Sequence, residues 1–288
     1  MASRMRRAAA ALASSVLATT AVVAASSTTA EAAPTWAPAD TAKIHPGVMM
    51  YTAGAQCTAN FVFTDGGGNV YVGYAAHCAG TGEATDTNGC DAGSLPLGTK
   101  VDFVEGGSLV SSGTKVGSGT LVYSSWLAMQ QAGTTDENTC AYNDFALVRV
   151  DAGSLNTVNP SVPFFGGPVS LSNGGTPAGS KVYSYGNSSL RAGIAALSPK
   201  FGAGLGDAGN GWSHTVYTAT PGIPGDSGSG FLDATGKAVG TLSTVAIAPL
   251  AGSNGVGDLA RELAFAQQHA GISGLQLVPG TEPFSPTL

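Results

Sequence analysis

An all-β fold is what this chain predicts, and three observations carry the prediction. Of its 288 residues 43% are hydrophobic and only 10% charged, which leaves ample apolar material for a core and argues against disorder. The 42 glycines, with clusters of Asp, Asn and Ser, punctuate the chain at short, even intervals. Between them lie brief runs rich in β-branched and aromatic residues, the composition that suits a pleated, half-buried surface. The length fits one large domain or two small ones.

Residues 1–32 read as a secretory signal peptide, not as part of the fold. Arg4, Arg6 and Arg7 form a basic start, an Ala-rich apolar stretch covers 8–25, and Ala30-Glu31-Ala32 supplies a small-x-small cleavage pattern. Ser and Thr interrupt the apolar stretch, and no other run is long enough to span a bilayer. Residues 33–46 form a Pro/Ala-rich arm or short pro-segment. A first β unit, 47–155, has strands at 47–51, 56–64, 69–74, 100–104, 119–123 and 145–150, with the glycine-rich turn 65–69 joining two of them as a hairpin. Segments 80–97 and 124–143 lack this regularity and read as long loops carrying Cys90 and Cys140.

Pro160, Pro163 and the pair Gly166-Gly167 mark the boundary of a second unit, 156–288. Its strands are expected at 181–185, 192–197, 213–218, 229–232 and 238–245. Near the end, Asp258 is placed to cap a helix over 259–269, with Leu259, Leu263 and Ala266 on one face and Gly271 as the stop.

Loss of residues 1–32 removes three of the 12 basic residues and one of the 18 acidic ones, leaving a net charge of −8. Such a surface does not seek phosphate backbones or anionic lipid, so neither nucleic acid nor membrane is an expected partner of the mature form. Cys57, Cys78, Cys90 and Cys140 form an even set behind an export signal, which points to disulfides and a secreted protein, with three pairings open. With no C-x-x-C and no H-E-x-x-H, no metal and no other cofactor is expected.

The chemistry centres on Ser227, in the stretch PGIPGDSGSGFL at 221–232. A serine hydroxyl needs a base to become a nucleophile, and histidine titrates in the right range. Of the four histidines, His45 precedes a proline, His269 ends the helix and His214 lies in a strand with alternating apolar neighbours. His77 closes the strand NVYVGYAAHC, where Cys78 can lock the chain beside it. The imidazole in turn needs a carboxylate to fix its tautomer. Asp144, directly before the apolar strand of NDFALVRV, is the candidate, and Asp102 is its rival.

AAHC at 75–78, NDFALV at 143–148 and GDSGSG at 225–230, in that order, resemble the chymotrypsin-like serine peptidases, particularly their secreted bacterial branch. The resemblance spans about 47–268. It implies two six-stranded antiparallel β-barrels with a C-terminal helix, and a monomer acting on protein or peptide substrates. It also implies His77 as general base, Asp144 as its orienting partner and Ser227 as nucleophile. The N–H groups of Gly225 and Ser227 would form the oxyanion hole, Asp226 would hold that loop, and Ser243 would bond the buried Asp144. A Cys57–Cys78 bridge behind His77 is part of the same implication, and Cys90–Cys140 goes with it.

The substrate pocket would involve Pro221, six residues before the nucleophile, together with Ser243, Thr244 and Val245. No acid stands where a Lys/Arg preference needs one, and Leu242 stands where a Glu preference usually needs a histidine. His214 would substitute only if its strand faced the pocket. No I-V-G-G-like start precedes the first strand, so Asp226 needs a partner that the sequence does not name. The rival function is a catalytically inactive binding protein on the same fold. Retention of all three triad residues favours activity.

Overall fold

The computed structural model describes residues 34–82, 87–246 and 250–286; the predicted signal peptide lies outside them. In chain order the strands are β1 (Met49–Thr52), β2 (Ala55–Thr58), β3 (Val62–Thr64), β4 (Val70–Tyr74), β5 (Lys100–Glu105), β6 (Thr114–Ser124), β7 (Ala146–Val150), β8 (Lys181–Tyr185), β9 (Pro199–Ala208), β10 (Ser213–Thr218), β11 (Gly230–Asp233), β12 (Ala238–Val245), β13 (Asn254–Asp258) and β14 (Gln276–Leu277). Helices α1 (Ser125–Ala132) and α2 (Glu137–Tyr142) precede β7, and α3 (Leu259–His269) follows β13. None of the described helices is long and apolar enough to cross a membrane.

The second half closes into a six-stranded antiparallel barrel, β10-β13-β12-β11-β8-β9. Its small interior holds Val182, Val216, Phe231, Val239, Leu242 and Val256. The first half departs from the expected six-stranded barrel. It is an eight-stranded sheet ordered β14-β3-β4-β7-β6-β5-β1-β2, with β14 arriving from beyond α3. The expected strand 56–64 is two strands, because the chain changes partners in its middle. The Ala59 amide still donates to Val48 O and its carbonyl accepts Gly47 N–H, whereas the Asn60 amide already donates to Gly73 O. Two consecutive residues therefore serve opposite ends of the strand order, and the sheet curls to bring those ends together. A closed barrel, a curled second sheet and a C-terminal helix are consistent with the chymotrypsin-like architecture that the motifs imply.

Two further expectations change. No strand forms at 192–197, where the chain turns and ends in the 3-10 turn Ala195–Leu197; the strand itself is β9, whose glycines disguised it. They are needed there: a Cβ on Gly202 would lie 1.9 Å from the Tyr217 carbonyl oxygen of β10, so only glycine allows these backbones to cross. Segment 124–143, expected to be irregular, contains α1 and α2, the latter capped by Asp136, whose side chain accepts from Thr139 N–H. α3 forms as expected on its Asp258 cap, with Leu259, Leu263 and Ala266 buried, but Glu262 is buried beside them. This helix packs into an aromatic layer with Phe61, Phe63, Tyr123, Phe145 and Tyr183, drawn from both halves.

Candidate active site

β4 runs into the 3-10 turn Ala76–Ala79, which carries His77. The Cys57–Cys78 disulfide ties that turn to β2, and Cys90–Cys140 ties the following loop to α2. Asp144 stands just before β7 and is 4% exposed. Its Oδ2 meets His77 Nδ1 at 2.6 Å, and its Oδ1 accepts the His77 backbone N–H at 2.8 Å. The Ser243 hydroxyl also donates to Oδ2. Burial alone would push the Asp144 carboxyl up. The positive imidazole and the hydrogen bonds from His77 and Ser243 outweigh burial and hold it below the usual carboxylate range. Burial likewise opposes charge on His77, and the Asp144 carboxylate overcomes it, leaving the imidazole more basic than a free histidine.

Ser227 shares a cleft of about 610 Å³ with His77 and Asp144. Gly225 and Gly228 flank it at φ +94° and +89°, and a Cβ on Gly228 would lie 2.5 Å from the Thr58 carbonyl oxygen. The Thr58 amide donates to the Ser227 carbonyl at 2.8 Å, fastening the loop to β2. Among the described residues neither Gly225 N–H nor Ser227 N–H has a hydrogen-bond partner, so both donors are unengaged. The Ser227 hydroxyl makes no hydrogen bond to His77; such contacts commonly tighten only when substrate arrives.

The other candidates lie elsewhere. Asp102 is on the first sheet with Lys115 Nζ 2.6 Å away, and it does not line the cleft that holds His77. His45 is half-buried with Nδ1 at the Pro46 carbonyl, and His269 stacks on Phe265. His214 does not line the cleft. It is clamped between carboxylates, Nδ1 to Asp207 at 2.7 Å and Nε2 to Asp258 at 2.9 Å. Pro221 also stands outside the lining, to which its loop contributes from Gly222 on, while Ser243, Thr244 and Val245 belong to it. The sulfurs of Cys57 and Cys78 lie within 4.8 Å of a His77 nitrogen, but both are spent in the disulfide and cannot ligate a metal as thiolates.

Several supporting residues carry no sequence motif. Asn254 locks the pocket walls together: its Oδ1 accepts Gly222 N–H at 2.8 Å, and its Nδ2 donates to Gly222 O and Thr244 O, both at 3.2 Å. Fully buried Asp226 finds two cations, Arg191 at 2.7 Å and Lys200 at 3.0 Å. Glu262 sits behind Asp144, accepting from Thr241 at 2.8 Å and from the Asp144 amide at 3.4 Å. Burial pushes its carboxyl well above the usual range, and the nearby Asp144 and Asp258 charges push the same way against the hydrogen bond from Thr241.

Solved structures similar to this chain include bacterial proteases. Thermobifida fusca protease A is 18% identical, with a TM-score of 0.49, over 82% of this chain and 99% of its own. Nocardiopsis protease is 19% identical, with a TM-score of 0.46, over 81% and 98%. Cellulomonas bogoriensis chymotrypsin is 17% identical, with a TM-score of 0.46, over 82% and 98%. A scan against protein-family models finds no match, and a search of curated proteins finds none.

Proposed function

We propose that this chain is a secreted serine endopeptidase working through His77, Asp144 and Ser227. The observation that carries the reading is the His77–Asp144 pair at 2.6 Å, set in one cleft with Ser227 and two unengaged backbone N–H groups. Ser227 Oγ attacks the scissile carbonyl while its proton passes to His77 Nε2, and Asp144 stabilises the imidazolium. Gly225 N–H and Ser227 N–H receive the oxyanion. The imidazolium then protonates the leaving amine, and His77 deprotonates the water that releases the acyl-enzyme. The two disulfides accord with export to an oxidising compartment.

The pocket supports a preference for medium-sized apolar residues. Among its described lining residues only His77 and Asp144 titrate, and its walls are Gly222, Leu242, Thr244 and Val245. Arg191 donates to Pro221 O and Lys200 to Thr220 O, so buried positive charge lies just before the wall segment and disfavours a Lys or Arg side chain. Such a pocket distinguishes one methylene by only about 1–3 kcal/mol, so preference should be graded. Peptide-library profiling tests this, and clear cleavage after Lys or Arg would sink it.

Fluorophosphonate labelling of the purified, secreted protein, followed by peptide mapping, tests the mechanism. Label on Ser227, lost in Ser227→Ala, is expected. A folded protein that neither labels nor cleaves peptides would instead be the inactive binding protein, a reading to which the unmade Ser227–His77 hydrogen bond lends its only support.

A further inference from the structure

A peptide N–H points away from the carbonyl of the residue before it, because both lie in one plane. Aiming Ser227 N–H therefore means holding Asp226 C=O, and aiming Gly225 N–H means holding Pro224 C=O. The first task is done by backbone, since Ser229 N–H donates to Asp226 O at 3.1 Å. Among the described residues no backbone donor reaches Pro224 O. It receives the Ser188 hydroxyl, at 2.6 Å. Local sterics do not do this work, because Gly225 tolerates φ of either sign and would let the 224–225 plane turn over.

Ser188 is well placed for the task. It is 2% exposed, and its oxygen accepts Leu190 N–H at 3.1 Å, which commits the single hydroxyl proton to Pro224. Its own amide donates to Asp226 Oδ1 at 3.1 Å. Arg191, three residues on, reaches Pro221 O and Asp226 Oδ2, each at 2.7 Å. One short segment thus grips the loop before the nucleophile at several points, and only Ser188 acts on the peptide that carries Gly225 N–H.

We propose that Ser188 is a positioning residue for oxyanion stabilisation, its hydroxyl holding the Pro224–Gly225 peptide with the Gly225 N–H facing the cleft. This rests on the reading of Ser227 as nucleophile. The test compares wild type, Ser188→Ala and Ser188→Thr, with kcat and KM per site titrated by fluorophosphonate, inhibition by a peptide aldehyde, and the pH profile. In Ser188→Ala, kcat should fall roughly tenfold or more, bounded by the roughly 10²–10³-fold cost of losing one oxyanion donor. Aldehyde affinity should fall in parallel, because its adduct needs the same donor. KM and the acid limb set by His77 should hold, and Ser188→Thr, which keeps the hydroxyl, should recover the loss. If wild type labels and turns over but Ser188→Ala keeps its kcat and aldehyde affinity per titrated site, this proposal fails alone. It also fails alone if Ser188→Ala lowers only the titrated fraction. A wild type that neither labels nor turns over overturns both readings.

Discussion

Asp226→Asn isolates the ionic anchorage of the loop that carries Ser227. Oδ2 of this fully buried carboxylate takes Arg191 at 2.7 Å, Lys200 at 3.0 Å and Ile223 N–H at 3.1 Å. The Lys200 side chain is 0% exposed and that of Arg191 10%. Two cations on one carboxylate already leave excess positive charge. The amide keeps the shape and an acceptor but removes the anion, stranding two like charges out of water. Removing one partner of a buried pair costs about 3–5 kcal/mol, and this carboxylate serves two, so the upper end applies. At about 2–4 °C per kcal/mol in a domain of this size, Tm should drop by about 10–20 °C. Lys200→Met leaves the Asp226–Arg191 pair intact and relieves the excess charge, so its cost should be smaller. Calorimetry and urea unfolding, with Ser227 blocked against autolysis, measure both. A larger loss in Lys200→Met than in Asp226→Asn would falsify the assignment of Asp226 as the charge that holds both cations.

Asp144→Asn should lower kcat by about 10⁴-fold by favouring the wrong His77 tautomer, whereas Asp102→Asn, which only frees Lys115, should leave turnover unchanged; the reverse pattern in steady-state kinetics would reassign the carboxylate. Because His77 must be neutral to act as base and Asp144 raises its pKa above 6.5, kcat/KM should fall as pH drops, with a midpoint above 6.5. An acid limb centred below that value would mean Asp144 is not charged beside it. His214 is also raised above 6.5, since its hydrogen bonds to the Asp258 and Asp207 carboxylates, with their negative charge, overcome its burial. Its bridge therefore stabilises fully below pH 6.5 and fades as pH rises through the raised value, so the Tm gap between wild type and His214→Asn should be widest in acid and narrow in alkali. The gap should narrow again at the acid extreme, where Asp207, held below its ordinary 3.8, takes up its proton. A gap independent of pH would argue that the ring is neutral.

What could be read from the sequence was whatever is written locally. Strands β4, β7, β8, β10 and β12 follow their apolar runs, and α3 starts at its Asp258 cap. The three short motifs likewise announce themselves through glycine, histidine and acid at turn and strand ends. Tertiary structure decided everything that depends on a distant surface. β9 is hidden because its glycines answer to the backbone of β10 and not to their own neighbours. β2 and β3 separate because Ala59 and Asn60 are claimed by different strands. Lys200 and Glu262 look like solvent-facing residues until the fold buries each against one partner set, Asp226 or the Asp144 amide with Thr241. Ser188, one of many serines in the chain, acquires its place only because folding lays it against the carbonyl of Pro224. A short-range pattern records what a residue does to its own backbone. It carries no record of which buried charge or carbonyl, far away in the chain, will need that residue's hydrogen bond.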